Sequence, residues 1–371
     1  MESNAKLLRW HMIGERLLRI GSLLCKSAMR NNVAVARARI ADTASTKELH
    51  DWVIEEAEKR QATLSPQDVR RIIAIATRRI PCRPPSGQLA IVLVYFNPAQ
   101  WSNLKRNYLR TCHTMAWHNV PIFRAEACYP GDIFPTDDAF IRVEASSDNV
   151  LWQKERLINL VVERLPSDIT HVAWIDADVF LLHNDWPQLA MHALRTYPVV
   201  QLWSRWHCAG RDGEVAEVLR SAGAMGDSYL KGGSPGGAWA AKRSVFPLYD
   251  KHIVGSGDAM ALEGWMGMKE SYCMSRMTPA LKREYGEWAT EAYRKVGGRI
   301  GNLKLDAVHL YHGTRSDRQY VNRWNPLIAH GYDPGKHVKV DDKGLLAWTS
   351  RAPDSLKTFV AHYFDARNED L

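Results

Sequence analysis

Along residues 5–40 the apolar positions Leu7, Leu8, Ile13, Leu17, Ile20 and Leu24 keep a helical period, with Arg9, Arg16, Arg19, Lys26 and Arg30 between them. A second helical stretch is predicted from about Thr46 to Ala62. A third opens at Ser65-Pro66-Gln67-Asp68, where Ser65 can cap, Pro66 suits the first turn and Asp68 favours the helix N-terminus. Pro81-Cys82-Arg83-Pro84-Pro85-Ser86-Gly87 then reads as a stiff linker and divides the chain into a helical region, 1–85, and a second domain, 86–371.

Beyond the linker the pattern changes to strands alternating with helices. Leu89–Phe96 is apolar throughout, as a strand buried on both faces of a parallel sheet must be. A helix over Trp101–Trp117, a strand over Val120–Ala127, a helix over Leu151–Leu165 and strands over His171–Asp176 and Pro198–Trp203 follow. This βαβ series predicts an α/β fold with a mostly parallel sheet flanked by helices, and ligands at the carboxyl ends of its strands.

Composition changes this picture in three ways. No run of ~18 apolar residues occurs, so no membrane span is expected. The six cysteines (Cys25, Cys82, Cys112, Cys128, Cys208 and Cys273) have no CxxC spacing, which argues against a zinc cage and suits a reducing, cytoplasmic setting. The net charge of +8 sits almost wholly in residues 1–85, which hold 16 Lys/Arg against 9 Asp/Glu. That asymmetry suits a polyanionic partner such as nucleic acid, or simply a solvated basic face.

The chemistry concentrates after the apolar run Val172–Ile175. A strand alternates its side chains, so Asp176 and Asp178 are expected to project to one side where the strand runs out, and two carboxylates there repel unless a cation lies between them. Oxygen ligands suit Mg2+ or Mn2+. On the preceding helix, Lys154 or Arg156 can reach a diphosphate, and Asn159 can orient a base or the Asp loop. The Gly-rich stretch Gly232–Gly237 permits close approach of a ligand, and Trp239 offers a face for a sugar ring. Asp258, in Gly255-Ser256-Gly257-Asp258, is a candidate general base or else a helix cap. His309 and His312, three apart, are candidate metal ligands, and in Arg315-Ser316-Asp317-Arg318 the arginines can neutralise a leaving diphosphate or pair with Asp317.

Taken in order, these segments resemble the GT-A fold glycosyltransferases, most closely the β-1,4-galactosyltransferase-like group. Leu157-Ile158-Asn159 is similar to the helix end that precedes that group's Asp motif. Gly236-Gly237-Ala238-Trp239-Ala240-Ala241 matches its Gly-Gly segment, and Gly255-Ser256-Gly257-Asp258 its Gly-Gly-Glu-Asp turn. His309 and His312 match its late metal ligands. The resemblance spans roughly residues 88–325. It implies a Mn2+- or Mg2+-dependent, inverting transfer from a nucleotide sugar, with a UDP-sugar as the expected donor. Asp176, Asp178, His309 and His312 would hold the ion. Tyr95, Phe96 and Asn97 would line the base pocket, while Lys154, Arg156, Asn159, Gly237, Trp239 and Arg315 would contact the donor or acceptor and Asp258 would serve as base.

Two departures stand out: Gly257 replaces the group's Glu, and residues 1–85 have no counterpart there. The basic region suggests an acceptor such as hydroxymethylated DNA bases, as in phage-type DNA glycosyltransferases; a glycan or protein acceptor is the alternative. A HAD-type phosphohydrolase also carries two Asp one residue apart after an apolar strand, but the residues that follow fit it poorly. A non-catalytic carbohydrate- or nucleic-acid-binding module is a further alternative, which the full set of acidic and His residues argues against.

Overall fold

The computed structural model describes residues 88–371, apart from 212–213, 226–231, 269–270, 315, 321 and 371. The helices expected in residues 1–85, the linker boundary and Arg315 therefore lie outside the described residues. No described helix is long and apolar enough to cross a membrane.

The chain alternates as its pattern requires. Strand β1 (Leu89–Phe96) leads into helix α1 (Ser102–Met115), then β2 (Ile122–Cys128) and β3 (Ile141–Glu144). Helix α2 (Lys154–Arg164) returns to β4 (His171–Ile175), followed by β5 (Val179–Leu181), α3 (Trp186–Ala193) and β6 (Val199–Gln201). Next come β7 (Arg205–Ala209), β8 (Val215–Ser221), β9 (Gly233–Ser234) and β10 (Ala238–Lys242). Helices α4 (Gly257–Met266) and α5 (Pro279–Val296) precede β11 (Ile300–Asn302) and β12 (Asp306–His309). A small hairpin, β13 (Val338–Val340) and β14 (Leu346–Trp348), and helix α6 (Asp354–Asp365) complete the described chain.

Seven strands form the main sheet in the order β11-β6-β10-β4-β1-β2-β3. The pairs β1–β2, β1–β4, β2–β3 and β6–β11 are parallel. Strand β10 runs antiparallel between β4 and β6. Its sequence reads only as a Gly-rich turn entering small residues, and the small residues are what a doubly covered central strand holds. The apolar β1 buries Ala90 and Val92 on one face, beside α2, and Leu89, Ile91, Leu93 and Tyr95 on the other, beside α1. Alternation along a strand thus explains a run with no polar position.

A second sheet, β5-β12-β7-β8-β9, stands beside the first. A third apolar cluster joins α4, α5 and α6 through Met260, Leu281, Leu356 and Val360. Because β10 opposes β4, its first residue pairs with the last residue of β4, Ala238 with Ile175. The Gly-rich entry to β10 and the exits of β1 and β4 therefore meet along one edge, where ligands of α/β sheets bind.

Candidate active site

A cleft of about 690 Å3 opens on that edge, lined among others by Phe96, Asn97, Trp152, Lys154, Asp176, Asp178, Asp258, His309 and His312. Its volume suits a ligand larger than a single sugar.

Strand β4 stops at Ile175, and Asp176-Ala177-Asp178 forms a tight turn closed by the Val179 N–H donating to the Asp176 carbonyl at 3.2 Å. The strand period no longer governs the two carboxylates, and they part. Lys154 Nζ, itself buried, lies 2.6 Å from Asp176 Oδ1 and 2.8 Å from Asp258 Oδ2. Burial alone would lower the Lys154 pKa, but Asp176 and Asp258 hold it well above its usual value. Asp176 is driven up to about 6, chiefly by burial, against the pull of Lys154.

Asp178 turns instead to the end of β12 and the loop after it. Its Oδ2 lies 3.5 Å from His309 Nε2 and 3.6 Å from His312 Nε2, and the two imidazole nitrogens are 2.6 Å apart. These three side chains offer ligand atoms within 4.8 Å of one another. Asp178 Oδ1 is buried with no hydrogen-bond partner. Burial would raise Asp178, yet His309 holds it below the usual carboxylate range. Burial would likewise lower His309, but Asp178 outweighs it and raises the imidazole to about 10. Convergent donors, a crowded nitrogen pair and an orphaned carboxylate oxygen fit a divalent cation. Asp176 does not belong to this group, so the expected pairing of both carboxylates on one ion gives way to a division. Asp178 goes with the histidines, and Asp176 with Lys154 and Asp258.

No family model and no curated protein matches the chain. Among solved structures it is similar to glucosyl-3-phosphoglycerate synthase from Mycobacterium tuberculosis in complex with Mg2+ and UDP, at 12% identity, 66% of this chain and 78% of that one, TM-score 0.31. It is also similar to the catalytic domain of Drosophila β1,4-galactosyltransferase 7 in complex with xylobiose, at 11% identity, 74% of this chain and 98% of that one, TM-score 0.32.

Several expected donor contacts lie elsewhere. On α2, Arg156 is about 200° around the helix from Lys154, and Asn159 about 140°. Arg156 accordingly pairs with Asp250 and Glu163, and Asn159 donates to the Leu248 carbonyl while accepting from the Leu248 N–H. Both fasten the 248–250 segment to α2 and do not line the cleft. Trp239 is 1% exposed, packs on Trp265 and donates its Nε1–H to the Pro235 carbonyl, so it is a core residue and offers no face to a sugar. Tyr95 is buried in the core face of β1 and also does not line the cleft. Asn97 does, but its amide is spent on the Tyr95 hydroxyl, the Trp101 carbonyl and the Trp101 N–H.

Gly237 serves through its backbone. At φ +103° its carbonyl accepts from the Asp176 N–H at 2.8 Å, and an added Cβ would lie 2.9 Å from the Trp206 ring. Asp258 sits in the first turn of α4, and Ser256, at φ +81°, takes the cap position. Gly257 leaves room for Glu155, whose Oε1 lies only 2.0 Å from where a Cβ would be. Burial pushes Glu155 up to about 8.

Phe96 and Arg318, both expected at the site, do line the cleft, and Trp152, Phe364, Trp206, Arg323, Arg367 and Glu369 join them. Trp152 meets Phe96 edge-on at 5.2 Å and lies parallel to Phe364 at 6.5 Å, forming an aromatic wall. Trp206 packs on His309 with ring centroids 4.3 Å apart. Arg318, Arg323, Arg367 and Glu369 reach the cleft from the chain's last quarter.

Proposed function

We propose that the protein transfers a sugar from a nucleotide diphosphate sugar, a UDP-sugar being the expected donor, to an acceptor hydroxyl with the help of a divalent cation. The observation that carries this reading is the juxtaposition of two units in one cleft. Asp178, His309 and His312 form a three-ligand cation set, and beside it Lys154 spans Asp176 and Asp258. Two imidazoles beside a single carboxylate favour Mn2+ over Mg2+. When bound, the ion supplies charge stabilisation for the departing nucleotide diphosphate.

The chain's own residues do the remaining work. Lys154 brings a positive charge to the donor's diphosphate, and Trp152 and Phe364, with Phe96 edge-on to both, give an apolar aromatic wall for its base. Asp258, on a helix turn that keeps it in the cleft, takes the proton of the acceptor hydroxyl, a direct displacement that inverts the anomeric centre. The Asp176 carboxylate holds Lys154 between the donor and the base. The DNA acceptor expected from the basic residues 1–85 rests on a region outside the described residues. Its support is charge alone.

Replacing Asp258 with Asn keeps the shape of the turn and removes the base. Asp258→Asn is expected to bind Mn2+ and UDP as the native protein does while UDP release from UDP-sugars in the presence of acceptor falls about 10²–10⁴-fold. Unchanged turnover in that variant, or phosphate release from simple phosphoesters without a nucleotide sugar, contradicts the reading.

A further inference from the structure

Along the cleft wall a continuous hydrogen-bonded chain runs from the cation set to the Asp258 turn. Arg318 donates to the His312 carbonyl at 2.7 Å and lies 3.4 Å from Glu369 Oε1. Arg367 Nε donates to the same Glu369 oxygen at 2.7 Å, and its Nη1 to the Tyr363 hydroxyl at 3.1 Å. Arg323 Nη1 donates to that hydroxyl at 3.0 Å, and its Nη2 to Ser256 Oγ, two residues before Asp258.

All three arginines line the cleft, yet Arg318 is 8% exposed and Arg323 and Arg367 6% each. Glu369, fully buried, is the carboxylate that Arg318 and Arg367 share. Arg323 has no carboxylate within 4.0 Å among the described residues, and the Nε atoms of Arg318 and Arg323 are buried without a partner. Burial would raise the Tyr363 phenol, but Arg323 and Arg367 outweigh it and hold it below its usual range. Cations withdrawn from water in this number require anions. Three guanidiniums against one carboxylate leave two positive charges on the wall. A phosphomonoester carries close to two negative charges at neutral pH, a carboxylate one. The Arg318 end lies in the field of Asp178, whereas Arg323 stands against the turn that carries Asp258, its Nη1 3.1 Å from where a Cβ on Gly255 would lie.

The geometry points to an anion subsite made by Arg323 and Arg367 with Arg318, which receives a phosphate group on the acceptor while Asp258 faces the acceptor's hydroxyl. The substrate class is then a hydroxylated molecule bearing a phosphomonoester. The word acceptor rests on the transferase reading; the subsite itself does not.

Calorimetric titration with inorganic phosphate tests it, in the absence of nucleotide and again with the full chain saturated by Mn2+ and UDP. Phosphate is expected to bind in both conditions, and acetate far more weakly. Arg323→Gln and Arg367→Gln are each expected to weaken phosphate binding about tenfold or more, the loss of a charge-assisted hydrogen bond, and to leave UDP affinity within about twofold. Thermal unfolding reports whether each variant folds, and the native titrations decide the question without them. Phosphate excluded by Mn2+ and UDP assigns the wall to the donor and overturns the proposal, as does an absence of phosphate binding in both conditions. Acetate binding as tightly as phosphate overturns the choice of phosphate. Failure of Mn2+ and UDP to bind sinks the transferase reading, while phosphate binding without nucleotide still reports on the subsite.

Discussion

His309 and His312 bring two imidazole nitrogens to 2.6 Å beside a carboxylate, a contact that a shared proton bridges and that a bound cation would part to about 3 Å. Without metal, Asp178 keeps His309 protonated up to about 10 despite burial. A cation needs the same lone pair, so binding expels that proton. The sign follows: the proton competes more strongly as pH falls, so Mn2+ affinity rises with pH through the neutral range, by up to about tenfold per unit while imidazolium dominates. Calorimetric Mn2+ titrations at neutral pH, in buffers of different ionisation enthalpy, are expected to show about one proton released per ion. A pH-independent affinity with no proton release contradicts the assignment of His309 as a ligand.

At the scale of elements, α2 and α4 are built around one another. Glu155 fills the space a side chain at position 257 would need, with Cδ at 2.2 Å and Cγ at 2.7 Å from the ideal Cβ as well. More than the tip of the side chain must move, and it is buried. Gly257→Ala is therefore expected to cost about 1–3 kcal/mol of stability by overpacking and to displace Asp258. In denaturant unfolding, adding Glu155→Ala should recover much of that loss. Additive effects of the two changes contradict the packing account.

The same pair shows what a sequence can and cannot reveal. Gly257 reads there as a missing acid, and only the fold shows an acid from another helix standing in its place. Strand β1 and the α1, α2 and β4 segments were legible because burial on two faces, or on one, imposes a period. The cation ligands Asp178, His309 and His312 were legible as residue types. Their separation from Asp176 was not, since it depends on β4 ending one residue early. Arg156 and Asn159 misled because nearness to Lys154 in sequence places them on other faces of the helix. The small residues of β10 hid a central strand, and with it the burial of Trp239.

For the whole molecule, the sheet topology gathers the site from distant segments: the exits of β1 and β4, the entry to β10, the start of α4, the end of β12 and the residues after α6. Arg367 and Glu369 had no motif to announce them, because their role arises only when the chain's end folds back on the cleft. On the proposed reading this assembly holds a nucleotide diphosphate through a cation on Asp178, His309 and His312. UDP binding measured by calorimetry with and without Mn2+, in the native protein and in Asp178→Ala, tests it most directly. Mn2+ is expected to tighten UDP binding about tenfold or more in the native protein, and Asp178→Ala to abolish this gain. UDP affinity indifferent to Mn2+ in the native protein, or a Mn2+ effect that survives intact in Asp178→Ala, would contradict it.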